Sequence, residues 1–178
     1  MRARDFVYVC LLSYTAASAA QADGQKDFDF EFGTWKTHVS RLAHPLSGSK
    51  EWIELDGTSV VRAIMDGRAN MVELDVTGPS GHIAGVSLRL YNPDTKQWSL
   101  NYASFRNGVL TAPTVGGFSN GRGEFFGSDT LDGKPVFVRF VITCPAPDTC
   151  HFEQSFSGDG GKTWEANWIA TDTRVKSS

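Results

Sequence analysis

Apolar and polar residues alternate with a period of two along nearly all of the chain beyond residue 34, and turn residues break the alternation about every eight to twelve positions. The pattern predicts strands over 35–42, 51–63, 70–76, 83–91, 97–104, 117–119, 123–129, 135–143, 151–157 and 163–173. The breaks include Asn92-Pro93-Asp94-Thr95, Asn120-Gly121, Asp132-Gly133 and Asp159-Gly160-Gly161. Such residues supply the positive φ that tight hairpins need. Helical periodicity is confined to 28–32, where Phe28 and Phe32 share a face. Many short antiparallel strands in one domain make a sandwich or a barrel, and hairpins between nearly all neighbours favour a closed up-and-down barrel over Greek keys. No linker, repeat or low-complexity tract divides the domain.

The ends of the pattern are more specific. Gly33-Thr34-Trp35 follows Phe28, Phe30 and Phe32, and Arg174 closes the last strand. This resembles lipocalin-like (calycin) barrels, in which a Gly-x-Trp on the first strand lies under a cation from the last strand at the closed end. The resemblance implies that Gly33 turns the backbone into the barrel and that Trp35 plugs its floor. Arg174 would then stack on the indole, a contact worth about 0.5–2 kcal/mol. Three runs extend the likeness: Phe28-Asp29-Phe30-Glu31-Phe32-Gly33-Thr34-Trp35, Leu88-Arg89-Leu90-Tyr91-Asn92-Pro93-Asp94-Thr95-Lys96-Gln97-Trp98 and Phe152-Glu153-Gln154-Ser155-Phe156-Ser157-Gly158-Asp159-Gly160-Gly161-Lys162-Thr163-Trp164-Glu165. They are similar to a family of small exported bacterial lipocalin-like domains. That resemblance implies the fold over nearly all of the mature chain and brings no catalytic residues with it.

Composition narrows compartment and partner. Residues 1–22 have the layout of a secretory signal peptide: Arg2 and Arg4, an apolar stretch from Phe6 to Leu12, then small residues, with cleavage after Ala19 or Ala22. The apolar run is shorter than the roughly 20 residues that span a bilayer, although an uncut N-terminal anchor remains the alternative. Cys10 lacks the small residues of a lipoprotein site before it. The expectation is a periplasmic or secreted barrel domain over 23–178, with no membrane insertion of the mature form. The chain carries a net charge of −3, and losing Arg2, Arg4 and Asp5 with the signal leaves about −4. Basic residues are scattered singly, which excludes a nucleic-acid surface. Cys144 and Cys150 bracket the turn-rich Pro145-Ala146-Pro147-Asp148-Thr149, so export predicts a disulfide stapling that hairpin.

Several motifs lose their chemistry in context. Ser157-x-Asp159-x-Gly161-x-x-Trp164 matches the Asp-box of β-propellers, but a single copy cannot build a propeller, so a self-stabilised hairpin is expected. Gly117-Phe118-Ser119-Asn120-Gly121 matches a nucleophile elbow, yet a strand follows where that motif needs a helix. His38, His44, His82 and His151 show no metal-ligand spacing, and His151 with Glu153 is at most a weak two-ligand pair. No metal or cofactor is expected. Haem held by one histidine stays open, with no ligand to nominate.

The barrel interior carries the functional expectation. Strand alternation puts Phe152, Gln154 and Phe156 on one face, Trp98, Leu100 and Tyr102 on another, and Trp164, Ala166, Trp168 and Ala170 on a third. Aromatic walls with isolated polar groups suit a small-molecule pocket, although such side chains also fill solid barrels. The leading expectation is an exported module binding a small apolar or aromatic ligand. Tyr102 and Gln154 would orient it, and Trp98, Trp168 and Phe126 would form walls. Arg139, if inward, would take a carboxylate or phenolate; Arg89 alternates among apolar residues in the same way. The alternative is a cofactor-independent isomerase, dehydratase or cyclase with Glu73 or Glu124 as base and Tyr102 as acid. Its signature would be a buried carboxylate of raised pKa inside the cavity. A third reading is a solid barrel that binds a partner through the loop 107–116.

Overall fold

A computed structural model describes residues 24–176. The signal peptide expected over 1–22 lies outside the described residues.

Ten strands follow one another around a closed antiparallel barrel: β1 (Gly33–Leu42), β2 (Trp52–Ile64), β3 (Ala69–Gly78), β4 (Gly81–Asn92), β5 (Gln97–Ser104), β6 (Thr114–Ser119), β7 (Arg122–Leu131), β8 (Lys134–Ala146), β9 (Thr149–Ser157) and β10 (Glu165–Arg174). Each pairs with its sequence neighbours, and β1 closes on β10 with Trp35 opposite Arg174. This is the all-β up-and-down architecture that the alternation predicts. Closure removes the exposed edges that an open sheet would present. Asn120, Asp132 and the glycines that follow them hold positive φ at the β6–β7 and β7–β8 turns.

β6 begins three residues before the predicted strand and pairs with β5 through only three residues. The β5–β6 connection therefore spans 105–113, tied back by a bridge between Ala103 and Leu110 and by the Thr111 amide donating to the Tyr102 carbonyl at 2.7 Å. Phe105, Val109 and Leu110 stand exposed on it.

The closed end is built as the terminal motifs imply. Asp29–Glu31 forms one 3₁₀ turn rather than a longer helix, and Phe28 before it is fully buried. The Phe28 ring meets Trp98 edge-on at 4.9 Å and Phe118 at 5.0 Å, and stacks on Phe125 at 5.9 Å. Trp98 donates its indole N–H to the Gly24 carbonyl at 2.8 Å. Trp35 donates its own to the Glu31 carbonyl at 2.7 Å, under the Arg174 guanidinium 4.0 Å from its ring centroid. Arg174 also donates to the carbonyls of Phe32 at 2.8 Å and Phe30 at 2.5 Å. Gly33 enters β1 at φ +131°, a backbone region that only glycine reaches at ease.

Cys144 and Cys150 form the expected disulfide across the β8–β9 turn. Closing so short a loop removes little entropy from the unfolded chain. Replacing both cysteines with serine should lower stability by about 2 kcal/mol in the chain-entropy model, measured by denaturant unfolding under oxidising conditions. A loss well above that would mean that the bond holds native packing as well. The Asp-box turn is self-satisfied: Asp159 accepts from the amides of Lys162 and Thr163 and from the Thr163 hydroxyl, at 2.7–3.0 Å. These bonds, the two from Thr163 foremost, hold its carboxyl down at a pKa of about 2.

Candidate functional site

Above the aromatic floor the barrel encloses a cavity of about 430 Å³. Its walls are apolar side chains from both halves of the barrel, among them Val39, Val72, Leu100, Val138, Phe152 and Ala170. Alternation explains why they converge: each sits two residues from another inward-facing position on its strand.

Two polar groupings interrupt the apolar lining at the deep end. The first is an ion pair. Glu31 and Arg89 have side chains 4% exposed, and Arg89 forks onto the two Glu31 carboxylate oxygens through both terminal nitrogens. The guanidinium also lies 4.4 Å from the Phe28 ring centroid. Burial is tolerable because each charge neutralises the other. The second is a chain of three side chains, Ser59, Thr37 and Asp172, all buried. Thr37 Oγ1 lies 2.7 Å from Ser59 Oγ and hydrogen-bonds Asp172 Oδ1. A hydroxyl has one proton, so an ionised Asp172 fixes the order: Ser59 donates to Thr37, and Thr37 donates to Asp172. If Asp172 takes up a proton on Oδ1, the order reverses.

Asp172 has a carboxyl pKa raised to about 6, chiefly by burial; the Thr37 hydrogen bond and Arg89 oppose the rise, and the negative Glu31 adds to it. The folded chain thus holds this proton more tightly than the unfolded chain. Asp172 contributes full stability below about pH 4 and loses it as pH rises through about 6. Asp172→Asn should therefore stabilise the protein by roughly 2–3 kcal/mol at pH 8 and by almost nothing at pH 4. Urea unfolding of both proteins at the two pH values measures the difference. An equal effect at both would show that the carboxylate carries no burial penalty.

Towards the open end, Tyr102, Gln154 and Trp168 line the cavity together with Thr111, Ser128 and Asp129. Burial raises the Tyr102 pKa, against a hydrogen bond with Ser104. Gly85 makes room for that ring, since a Cβ there would lie 2.5 Å from the Tyr102 hydroxyl. Gln154 donates to Asn167 Oδ1 at 3.0 Å rather than pairing with Tyr102. Gln154 and Trp168 also line a second, outer hollow of about 540 Å³ with Arg41, His44, Leu131, Asp132 and Phe156. The two side chains stand at the boundary between the two spaces.

Of the expected binding residues, then, Tyr102, Gln154 and Trp168 come together on the cavity. Trp98 lies beneath it in the floor, packed on Phe28 and Tyr91. Phe126 and Arg139 do not belong to it. Phe125 pairs with Phe140 and Gly127 with Val138, so the intervening Phe126–Arg139 pair points outward. There Phe126 is half exposed, and Arg139 covers the Trp164 ring at 5.0 Å. Trp164 and Ala166 face outward too. A bulge between Ala166 and Trp168 inserts Asn167, and one extra residue reverses the face of every side chain beyond it.

The expected bases also fail the geometry. Glu73 pairs with Arg62 at 2.5 Å and Glu124 with Arg122 at 2.9 Å, both on the solvent side. The deep polar residues Glu31, Thr37, Ser59 and Asp172 escape a reading by periodicity. Asp172 did carry a signal, for it follows Trp168 and Ala170 at steps of two on an inward face. Glu31 is concealed among Phe28, Phe30 and Phe32.

No family model matches the chain, and no curated protein matches it in sequence. Among solved structures it is similar to the S-type phycobiliprotein lyase CPES of Guillardia theta, with 13% identity and a TM-score of 0.59 over 89% of this chain and 100% of that one. A redesigned β-barrel (12% identity, TM-score 0.46, 89% of this chain and 100% of that one) is also similar. So is a de novo fluorescence-activating β-barrel (10%, 0.45, 87% and 100%). At such identities the likeness to the lyase is one of fold: a ten-stranded, lipocalin-like barrel.

Proposed function

We propose that this chain is an exported binding protein of a small bacterial lipocalin-like family, holding one small, largely apolar molecule inside its barrel. The observation that carries the reading is the cavity of about 430 Å³, apolar around its middle and polar at both ends. Pockets of a few hundred Å³ with apolar walls and a few convergent polar atoms are the usual form of a small-molecule site. Tyr102, Gln154 and Trp168 contact the ligand near the mouth, and Asp172 and Thr37 meet its deep end. The short basic start, apolar stretch and terminal small residues of 1–22 support export to the periplasm or beyond.

Native mass spectrometry of protein purified from the bacterial periplasm tests the reading. Wild type is expected to carry, or to take up from an extract of the host, a discrete added mass of a few hundred daltons. Ala170→Phe fills the middle of the cavity and should abolish it while the barrel still folds. A bare mass for wild type after exposure to such extracts would falsify the proposal.

One observation favours a second reading. Asp172 is a buried carboxyl within the cavity, with a pKa near 6, suited to take and return a proton near neutral pH. In a cofactor-independent isomerase or dehydratase it would be the base, in place of Glu73 and Glu124. The bound molecule decides: under this reading it is converted by wild type and recovered unchanged from Asp172→Asn.

A further inference from the structure

The charge inventory of the cavity specifies the ligand more closely. Three carboxylates line it, Glu31, Asp129 and Asp172, and Arg89 is the one cationic side chain among the described lining residues. No lysine or histidine joins them. Arg89 holds both Glu31 oxygens with its terminal nitrogens, which leaves its buried Nε without a partner. Asp172 is differently placed. Its Oδ1 accepts from Thr37, while its Oδ2 has no hydrogen-bond or ion-pair partner among the described residues. The charged groups facing it are Glu31 from the 3₁₀ turn and Arg89 from β4. Its neighbours on β1 and β2 are the hydroxyls of Thr37 and Ser59, and β9 presents the disulfide-bonded Cys150 opposite it.

We propose that the ligand held in this cavity carries a positively charged nitrogen, an ammonium or amidinium group on an apolar body, and that this group seats on Asp172. The proposal rests on the binding reading above. A carboxylate ligand would lie beside Glu31 and Asp172, with three negative groups against one cation. An ammonium instead completes the deep end. It donates to Oδ2, and the Ser59–Thr37–Asp172 order of donors becomes the stable one. The charge-assisted bond forms away from water, where such bonds are strong. The apolar remainder fills the space between Val39, Leu100, Val138 and Phe152. A buried ligand charge without such a counter-ion would be heavily penalised, so Asp172 selects as well as anchors.

The test uses the mature wild-type protein and two matched series of probes. These are decylamine, decanol and decanoate, and 2-naphthylethylamine, 2-naphthylethanol and 2-naphthylacetate, titrated calorimetrically. At about pH 7.5 the amine of at least one series should bind about ten- to a hundredfold more tightly than its alcohol, the range expected of a hydrogen bond to a charged group. The carboxylate should bind weakest. Between pH 7.5 and 5 the amine's affinity should fall about tenfold as Asp172 takes up its proton, while the alcohol's stays level. Asp172→Asn should remove both the amine preference and its pH dependence. Should that variant fail to fold, the wild-type pH series decides alone. An alcohol or carboxylate that binds as well as the amine, or an amine affinity flat with pH, overturns the cationic ligand and leaves the binding cavity standing. If none of the six probes binds, both fall.

Discussion

Arg89→Ala is expected to lower stability by about 3–5 kcal/mol, because it leaves the Glu31 carboxylate buried without its counter-charge. The geometry makes this pair unusually sensitive. Both side chains are 4% exposed, so water cannot replace the lost guanidinium without opening the floor. Arg89 also covers the Phe28 ring, and its removal leaves a void against the aromatic cluster. The loss should be visible as a lower denaturation midpoint with an unchanged slope. The double replacement Glu31→Leu/Arg89→Leu separates charge from packing. It removes both charges, so its loss should be clearly smaller than that of Arg89→Ala alone. If the double variant is the less stable of the two, the pair is a net contributor rather than a buried charge held in balance. Ligand binding then provides the functional contrast, since the pair sits at the end of the cavity that Asp172 also occupies.

Trp35→Ala should cost about 3–5 kcal/mol, the range for removing a fully buried large aromatic side chain. The indole is 1% exposed and has three roles at the closed end. Its ring fills the floor, its N–H holds the Glu31 carbonyl, and its face carries Arg174. Trp35→Phe keeps most of the packing and loses the hydrogen bond, so it should cost markedly less. Arg174→Met removes the cation and should cost about 0.5–2 kcal/mol for the stacking contact. It also leaves the carbonyls of Phe30 and Phe32 without their donors. Thermal unfolding of the three variants orders them. A Trp35→Ala protein as stable as wild type would remove the structural basis for the terminal motif.

The two predictions bear on the site as well as the fold. The Trp35 N–H fixes the backbone of the turn that carries Glu31, and Glu31 in turn anchors Arg89 in the lining of the cavity. Asp172, by contrast, is a group whose ionised form the fold tolerates at a loss. A buried carboxylate that lowers stability above pH 6 and, among the described residues, accepts from a single hydroxyl is more readily understood as binding or catalytic equipment than as support.

The sequence by itself determined the number of strands and their antiparallel hairpin order, which follow from local chemistry: a period of two and positive-φ turn residues. The closing pair of Trp35 and Arg174 came from the resemblance to lipocalin-like barrels. The sequence also put Tyr102, Gln154 and Trp168 forward as cavity residues without fixing which face of their strands turns inward. The tertiary structure alone decided which face of β4, β7 and β8 turns inward. Arg89 alternates with Leu88 and Leu90, and Ser87, Arg89 and Tyr91 point inside while Leu90 is left exposed, because the pairing of Arg89 with Asn70 and Leu100 sets the register. Phe126 and Arg139 went outward for the same reason, and the Asn167 bulge split Trp164 from Trp168. Period-two patterns name two faces without saying which is buried when both carry apolar residues. The deep polar residues were hidden for another reason. Glu31, Thr37, Ser59, Arg89 and Asp172 stand on separate elements, as many as 141 positions apart, and only closure of the barrel brings their charges and hydroxyls into one site.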